Sequence, residues 1–257
     1  MPLEEIDLHL NQNDIPLDVK NFLIEADRRI DELFDSERNR KVPRFIPSNA
    51  ELLYMHLSAI ISEDLCLGNN YCEWGSGYGV GTCLASMLGF ESFGIEIEPS
   101  LVDASRTLAE ESNIEVTILE TDYMPEGFEC YEGSGGAELI RPENYVLGSN
   151  QPMDITYDGM SVNLDEIDVF FVYPWPGEQE FMQEFFEAVA CDGAVCLIYL
   201  GDDEFGLYRK SAEPYDRILR FRRCFKNNFV LLFRITCFGI RNHYKIVCYD
   251  RVPFCSL

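Results

Sequence analysis

The sequence predicts an α/β protein built on a doubly wound, mostly parallel sheet, and three observations carry that expectation. From Tyr71 onward, short apolar runs alternate with helical patterns. The run "IDVFFVYPW", residues 167–175, is apolar on both alternating faces, as a strand covered by helices on both sides must be. A hydrophobic content of 47% over 257 residues is ample for a real core.

The elements follow in chain order. Residues 17–36 place Val19, Phe22, Leu23, Ala26, Ile30, Leu33 and Phe34 on one stripe, so this helix docks by one face. With the linker "NRKVPRF" it reads as an N-terminal helical extension over residues 1–45, ahead of a main domain over 46–257. In "SNAELLYMHLSAII" Ser48 and Glu51 stand at capping-box spacing, which predicts a second helix over about 49–61. Strand 71–74, helix 79–88, strand 92–97, helix 100–112 and strand 115–121 then make a βαβαβ unit. Strand 167–175 is followed by a helix with Phe181, Met182, Phe185, Phe186 and Val189 on one side, a stop at Gly193, and a buried strand over 194–200. The runs "NFVLLFRITCF" and "HYKIVCYDRV", separated by "GIRN", predict an antiparallel C-terminal hairpin that closes one edge.

Between Pro125 and Glu166 the alternation stops for 40 residues containing six glycines, too long for a plain connection. This segment, 126–165, is an insertion. "MDITYDGMSVNL" alternates around Asp158-Gly159, a pair that favours a tight hairpin turn, and a mobile "YEGSGG" precedes it. Leaving the carboxyl end of one strand and returning to the next, the insert is expected to cover the substrate side of a pocket.

Charge limits the partners. Against 45 acidic residues stand 20 basic ones, a formal −25, which repels phosphate backbones and anionic lipid and so argues against nucleic acid over a broad face and against a membrane. Residues 1–206 carry 9 Lys/Arg and 42 Asp/Glu (net −33), and 207–257 carry 11 and 3 (net +8). The basic "RILRFRRCFK" therefore complements acidic surface of the same fold or of a second copy, which admits a homodimer; a local site for an acidic partner is the other reading. The opening "MPLEEIDLHL" has no basic or apolar leader pattern, so the ten cysteines point to a reducing cytoplasm. With no Cys-x-x-Cys pair, and His9, His56 and His243 far apart, no metal site is expected.

"YCEWGSGYGVGTCLASM", Tyr71 to Met87, holds four glycines in seven residues between a strand and a helix, where bare backbone lets N–H groups approach a ligand. The dinucleotide fingerprint fails in both registers, since its third small position falls on Val80 or Thr82. The match is to an acidic residue followed by alternating glycines: Glu73, Gly75, Gly77, Gly79. Here the chain, over about residues 45–257, resembles the class I S-adenosylmethionine-dependent methyltransferases. The resemblance implies a seven-stranded Rossmann-like sheet and S-adenosyl-L-methionine as cofactor. "GIEIEPSLVDASR" resembles the family's second motif, with Glu96 as the carboxylate for both ribose hydroxyls. "LETDYMP" resembles the third, with Asp122 toward the adenine amino group, and Ile97 and Tyr123 join the implied cofactor set.

"DVFFVYPWP" resembles the strand-4 motif beside the transferred methyl, which implies Tyr173, Trp175 and Glu178 as catalytic candidates. For Glu178 a helix-start role competes with catalysis. The nucleobase amino-methyltransferases carry a polar residue before Pro-Pro-aromatic, and Tyr173-Pro174-Trp175-Pro176 departs from that, so a small molecule or a protein is expected as acceptor rather than a nucleic acid base. Two other classes stay open: a non-catalytic cofactor-binding scaffold and, ranked below it, an NAD(P)-binding oxidoreductase.

Overall fold

The sheet of the computed structural model has seven strands, five of them parallel neighbours, with helices on both faces. The structure describes residues 3–10, 14–37, 45–133, 136–142 and 155–211. The chain divides into two compact units, Met1–Glu213 and Pro214–Leu257, and the second lies outside the described residues, as does the expected C-terminal hairpin. The first unit runs β1 (Glu4–Glu5), α1 (Leu17–Glu37), α2 (Ala50–Ser62), β2 (Asn70–Trp74), α3 (Val80–Met87), β3 (Glu91–Glu96), α4 (Pro99–Glu111) and β4 (Thr117–Glu120). It continues through β5 (Glu129–Gly133), β6 (Gly136–Ile140), a 3-10 turn at Leu164–Glu166, β7 (Val169–Val172), α5 (Gln179–Val189), β8 (Val195–Gly201) and β9 (Glu204–Arg209). No helix of the described residues is long and apolar enough to cross a membrane.

Strand order is β1-β9-β8-β7-β2-β3-β4. The chain winds outward from β2 to β4, then returns to β7 on the other side of β2. That reversal opens a crevice above the carboxyl ends of β2 and β7. Period-2 alternation sorts the central strands onto two cores. Cys72, Trp74, Phe170, Val172, Cys196 and Ile198 face α5 and the insert. Tyr71, Val169, Phe171, Val195 and Leu197 face Leu53, Leu57 and Ile60 of α2. The apolar stripe of α1 buries Val19, Phe22, Leu23 and Ala26 in a third cluster with α3 and α4.

Four local differences from the expected elements have physical causes. The cap of α2 is Asn49 rather than Ser48: its side-chain oxygen accepts the Leu52 amide at 3.1 Å. The hairpin of the insert lies upstream of the predicted one, with β5 and β6 pairing antiparallel across Gly133 and Gly136, the stretch read as mobile. Asp158-Gly159 does make a turn, with Gly159 at φ +86, but no strand ladder flanks it in 155–163. The antiparallel edge of the first unit is built by β9, which returns alongside β8 through Asp202-Asp203, and by β1 beyond it. Both aspartates have positive φ (49° and 64°), as a type I′ turn requires, yet neither is the glycine or asparagine that advertises one.

Asp203 is held there by its neighbours. Its carboxylate accepts from Asn49 Nδ2 at 2.8 Å, and its amide donates to the Tyr199 hydroxyl at 3.3 Å. Asp203→Ala should therefore cost about 1–3 kcal/mol through lost hydrogen bonds in a left-handed conformation. Asp202→Gly, relieving φ with no side-chain bond to lose, should be neutral or stabilising by about 0.5–1 kcal/mol. Urea denaturation of both variants distinguishes these outcomes, and equal destabilisation would refute the role of the Asn49 and Tyr199 contacts.

Candidate functional site

The crevice above β2 and β7 is a cavity of about 580 Å³. The loops after the parallel strands build its floor: Gly75 to Tyr78 after β2, Ile97 after β3, Thr121 to Tyr123 after β4, and Tyr173 to Gly177 after β7. Glu73, Glu96, Tyr199 and Leu200 at strand ends also line it. Of the residues predicted for a site, Glu73, Gly75, Gly77, Glu96, Ile97, Asp122, Tyr123, Tyr173 and Trp175 come together here. Gly79 and Glu178 do not line it.

The glycine loop is shaped by left-handed backbone at Gly75, Gly77 and Gly79. A Cβ on Gly77 would lie 2.5 Å from the Phe45 ring, and one on Gly79 2.7 Å from Ser105 Cβ, so these two glycines permit close packing. Beside Gly75 nothing lies within 4 Å of such a Cβ, which leaves that stretch of backbone open to a ligand. The Ser76 hydroxyl is buried without a hydrogen-bond partner.

Two buried carboxyl groups organise the floor. Glu96, 8% exposed, accepts three backbone amides: Gly77 on Oε2 at 2.8 Å, and Ile97 and Glu98 on Oε1, both at 2.9 Å. A carboxylate has about four acceptor positions, so one remains for a ligand. Glu73, 6% exposed, lies under the start of α3, accepting the Thr82 hydroxyl at 2.6 Å. Gly79 offers α3 no side-chain cap, and Glu73 takes that place from the strand end. Gly81 makes room for it, since a Cβ there would meet the carboxyl oxygens at 2.7 and 2.8 Å. Burial pushes the Glu73 carboxyl up to about 8; its bonds to Thr82 oppose the shift and the Glu96 charge adds to it.

The walls were only partly anticipated. Asp27 and Ile30 of α1 and Phe45, Ile46, Pro47, Ser48 and Ala50 ahead of and within α2 line the cavity. The N-terminal helix is thus part of the site, which its amphipathic stripe gave no means to foresee. Tyr199 and Tyr173 meet edge to face at 4.6 Å, and Trp175 is 42% exposed beside them. Glu178 is the N-cap residue of α5 without a side-chain cap bond, a helix-start position. None of the insert's described residues lines the cavity, and 134–135 and 143–154 lie outside the described residues. Instead Phe128, Leu139, Ile155, Tyr157 and Leu164 pack on the sheet face shared with α5, where the α/β alternation would place a helix. Tyr157 pins the segment, accepting Trp74 Nε1–H at 2.9 Å and donating to the Tyr123 carbonyl.

The acidic residues lining the cavity are Asp27, Glu73, Glu96 and Asp122, and none of the described lining residues is a lysine or arginine. A site of this kind favours a cation over a phosphate. Among the described residues, no group of three His, Cys, Asp or Glu is placed to hold a metal ion.

No protein-family model matches the sequence, and no curated protein matches it. Among solved structures, it is similar to an RNA methyltransferase from Salinibacter ruber in complex with S-adenosyl-L-homocysteine (15% identity, TM-score 0.43, 65% of this chain and 95% of that one). It is also similar to a SAM-dependent methyltransferase from Thiobacillus denitrificans in complex with the same molecule (17%, 0.39, 72% and 56%). A third is an S-adenosylmethionine-dependent methyltransferase from Clostridium acetobutylicum ATCC 824 (7%, 0.37, 67% and 56%). The chain thus spans little more than half the length of the second and third. At these identities and TM-scores, functional argument rests on the cavity itself.

The raised Glu73 carboxyl has a measurable consequence. With its folded value near 8 and its unfolded value near 4.5, the group favours folding fully below 4.5, and that contribution is lost as pH rises through 8. Glu73→Gln keeps the acceptor for Thr82 and cannot ionise. Relative to this variant, the wild type should lose on the order of a few kcal/mol between pH 5 and 9. Parallel pH profiles of melting temperature would show that Glu73 is not buried as described.

Proposed function

We propose that the chain is a class I S-adenosylmethionine-dependent methyltransferase acting on a small molecule or a protein rather than on a nucleic acid. The observation that carries this reading is a cavity at the topological switch point lined, among the described residues, by four carboxyl groups, aromatic side chains and no basic residue. S-adenosylmethionine bears a sulfonium and an ammonium, both of which such a lining favours. A dinucleotide would bring a pyrophosphate against this acidic lining with no lysine or arginine among its described residues, which argues against the oxidoreductase alternative.

The residues fit the cofactor. Open backbone at Gly75 leaves room for the amino-acid portion, and the remaining acceptor position of Glu96 suits a ribose hydroxyl. Exposed Ile97 supplies an apolar contact for a purine, with Asp122 and Tyr123 beside it in the lining. Asp122 Oδ1 accepts the Met124 amide at 2.8 Å, which orients its carboxylate. When bound, the cofactor supplies an electrophilic methyl on a positive sulfur. The protein's share is then to hold the acceptor in line with that methyl and to exclude water, tasks for Tyr173, Pro174, Trp175 and Tyr199. Glu178, outside the cavity lining, serves α5 in this reading.

Calorimetry tests the proposal: S-adenosylmethionine and its demethylated product should bind, and NAD should not. Glu96→Ala should weaken that binding by on the order of 2–4 kcal/mol, roughly 30- to 1000-fold, by removing a charge-assisted bond and loosening the Gly77 loop. Glu178→Gln should leave both affinity and turnover within about twofold, as a helix-start charge contributes only some tenths of a kcal/mol. Unchanged affinity in Glu96→Ala, or NAD binding at comparable strength, would overturn the assignment.

A further inference from the structure

Besides the residues assigned to the cofactor, the cavity is lined by Asp27 and Ile30 of α1, by Phe45–Ser48 and Ala50, and by the aromatic side chains of Tyr173, Trp175 and Tyr199. Of these, Asp27 is the only charged side chain among the described residues. It makes no ion pair and no side-chain hydrogen bond among the described residues. The arginines that follow it on α1 are engaged elsewhere: Arg28 by Glu25 and Glu32, Arg29 by Glu25 and Glu111. Burial, then the charges of Asp31 and Glu51, raise the Asp27 carboxyl above its ordinary range.

We infer, resting on the methyl-transfer reading above, that the acceptor is a protonatable amine on an apolar stem, selected by Asp27 and the Tyr173–Trp175–Tyr199 wall. An acceptor with a carboxylate or phosphate would enter a cavity whose described charged lining residues are all acidic, at an electrostatic cost. An ammonium is drawn in by the same field, and by a surface of net charge −25 around it. The exposed indole of Trp175 and the phenol rings beside it offer faces that attract a cation and pack against an alkyl or aryl stem. Exposed Ile46 and Leu200 extend that apolar surface.

The chemistry balances as follows. The ammonium gives up one proton to solvent. The freed nitrogen lone pair forms the new N–CH3 bond as the C–S bond breaks and its electron pair moves to sulfur. One sulfonium and one primary ammonium become one neutral thioether, one N-methylammonium and one proton.

The test uses the full chain with methyl-labelled S-adenosylmethionine, against hexylamine, phenethylamine, Nα-acetyl-lysine and a lysine-bearing peptide, with hexanoate, hexanol and phenylacetate as matched controls. Label should appear on amines and not on the controls; the free-amine and peptide arms show which source carries the group. Asp27→Asn should raise KM for the best amine at least tenfold, and by a larger factor than it weakens cofactor binding, while Asp27→Glu should restore much of the loss. Label on hexanoate or hexanol in preference to every amine, label on no amine, or an unchanged KM in Asp27→Asn overturns the inference. Cofactor binding measured alongside by calorimetry separates that failure from a failure of the methyl-transfer reading, which would abolish binding itself.

Discussion

The site depends on one carboxylate satisfied by backbone. Glu96, at the end of β3, collects the amides of Gly77 from the neighbouring loop and of Ile97 and Glu98 from its own. Those amides have no strand partner beyond the sheet's end, and a buried unpaired donor is costly. By accepting all three, Glu96 fixes two loops relative to each other and leaves its last acceptor position on the cavity side. The Gly75 and Ser76 amides complete the tie by sharing the Ile95 carbonyl, both at 2.9 Å. Floor geometry therefore follows from the register between β2 and β3, in which Trp74 pairs with Ile95.

The same residue types that frame the site also set its charge. Glu73 is placed for structure, beneath the first turn of α3, and desolvation holds it largely neutral at physiological pH. A cation brought near it would favour its ionised form, so the floor can gain negative charge when the ligand that needs it arrives. Asp27, supplied from α1, belongs to a different part of the chain.

Most of the sheet and much of the site were legible in the sequence because local signals there agree with the tertiary structure. The strands β2, β3, β7 and β8 are buried on both faces or nearly so, and the first three are each followed by a helix. Glu73, the alternating glycines and Glu96 stand at loop positions that such a sheet brings together. What was not legible lacks a local signature. The Asp202-Asp203 turn adopts positive φ without glycine because Asn49 and Tyr199, distant in sequence, hold Asp203. Phe45 and Asp27 reach the cavity through the packing of α1 and α2, which a helical stripe does not specify. The described part of the insert, expected over the pocket, places Phe128, Leu139 and Tyr157 beside α5 on the sheet face instead.

The outermost strand of the sheet, β1, pairs Glu4 with Arg209 and Glu5 with Tyr208. This pairing closes a loop of roughly two hundred residues, a contact of very long range. It also decides what the sheet presents on that side: in place of the six-residue strand β9, the exposed edge is a two-residue strand carrying two carboxylates, Glu4 and Glu5. A short, like-charged edge is a poor template for a strand of another chain, so β1 guards the sheet against edge-to-edge pairing.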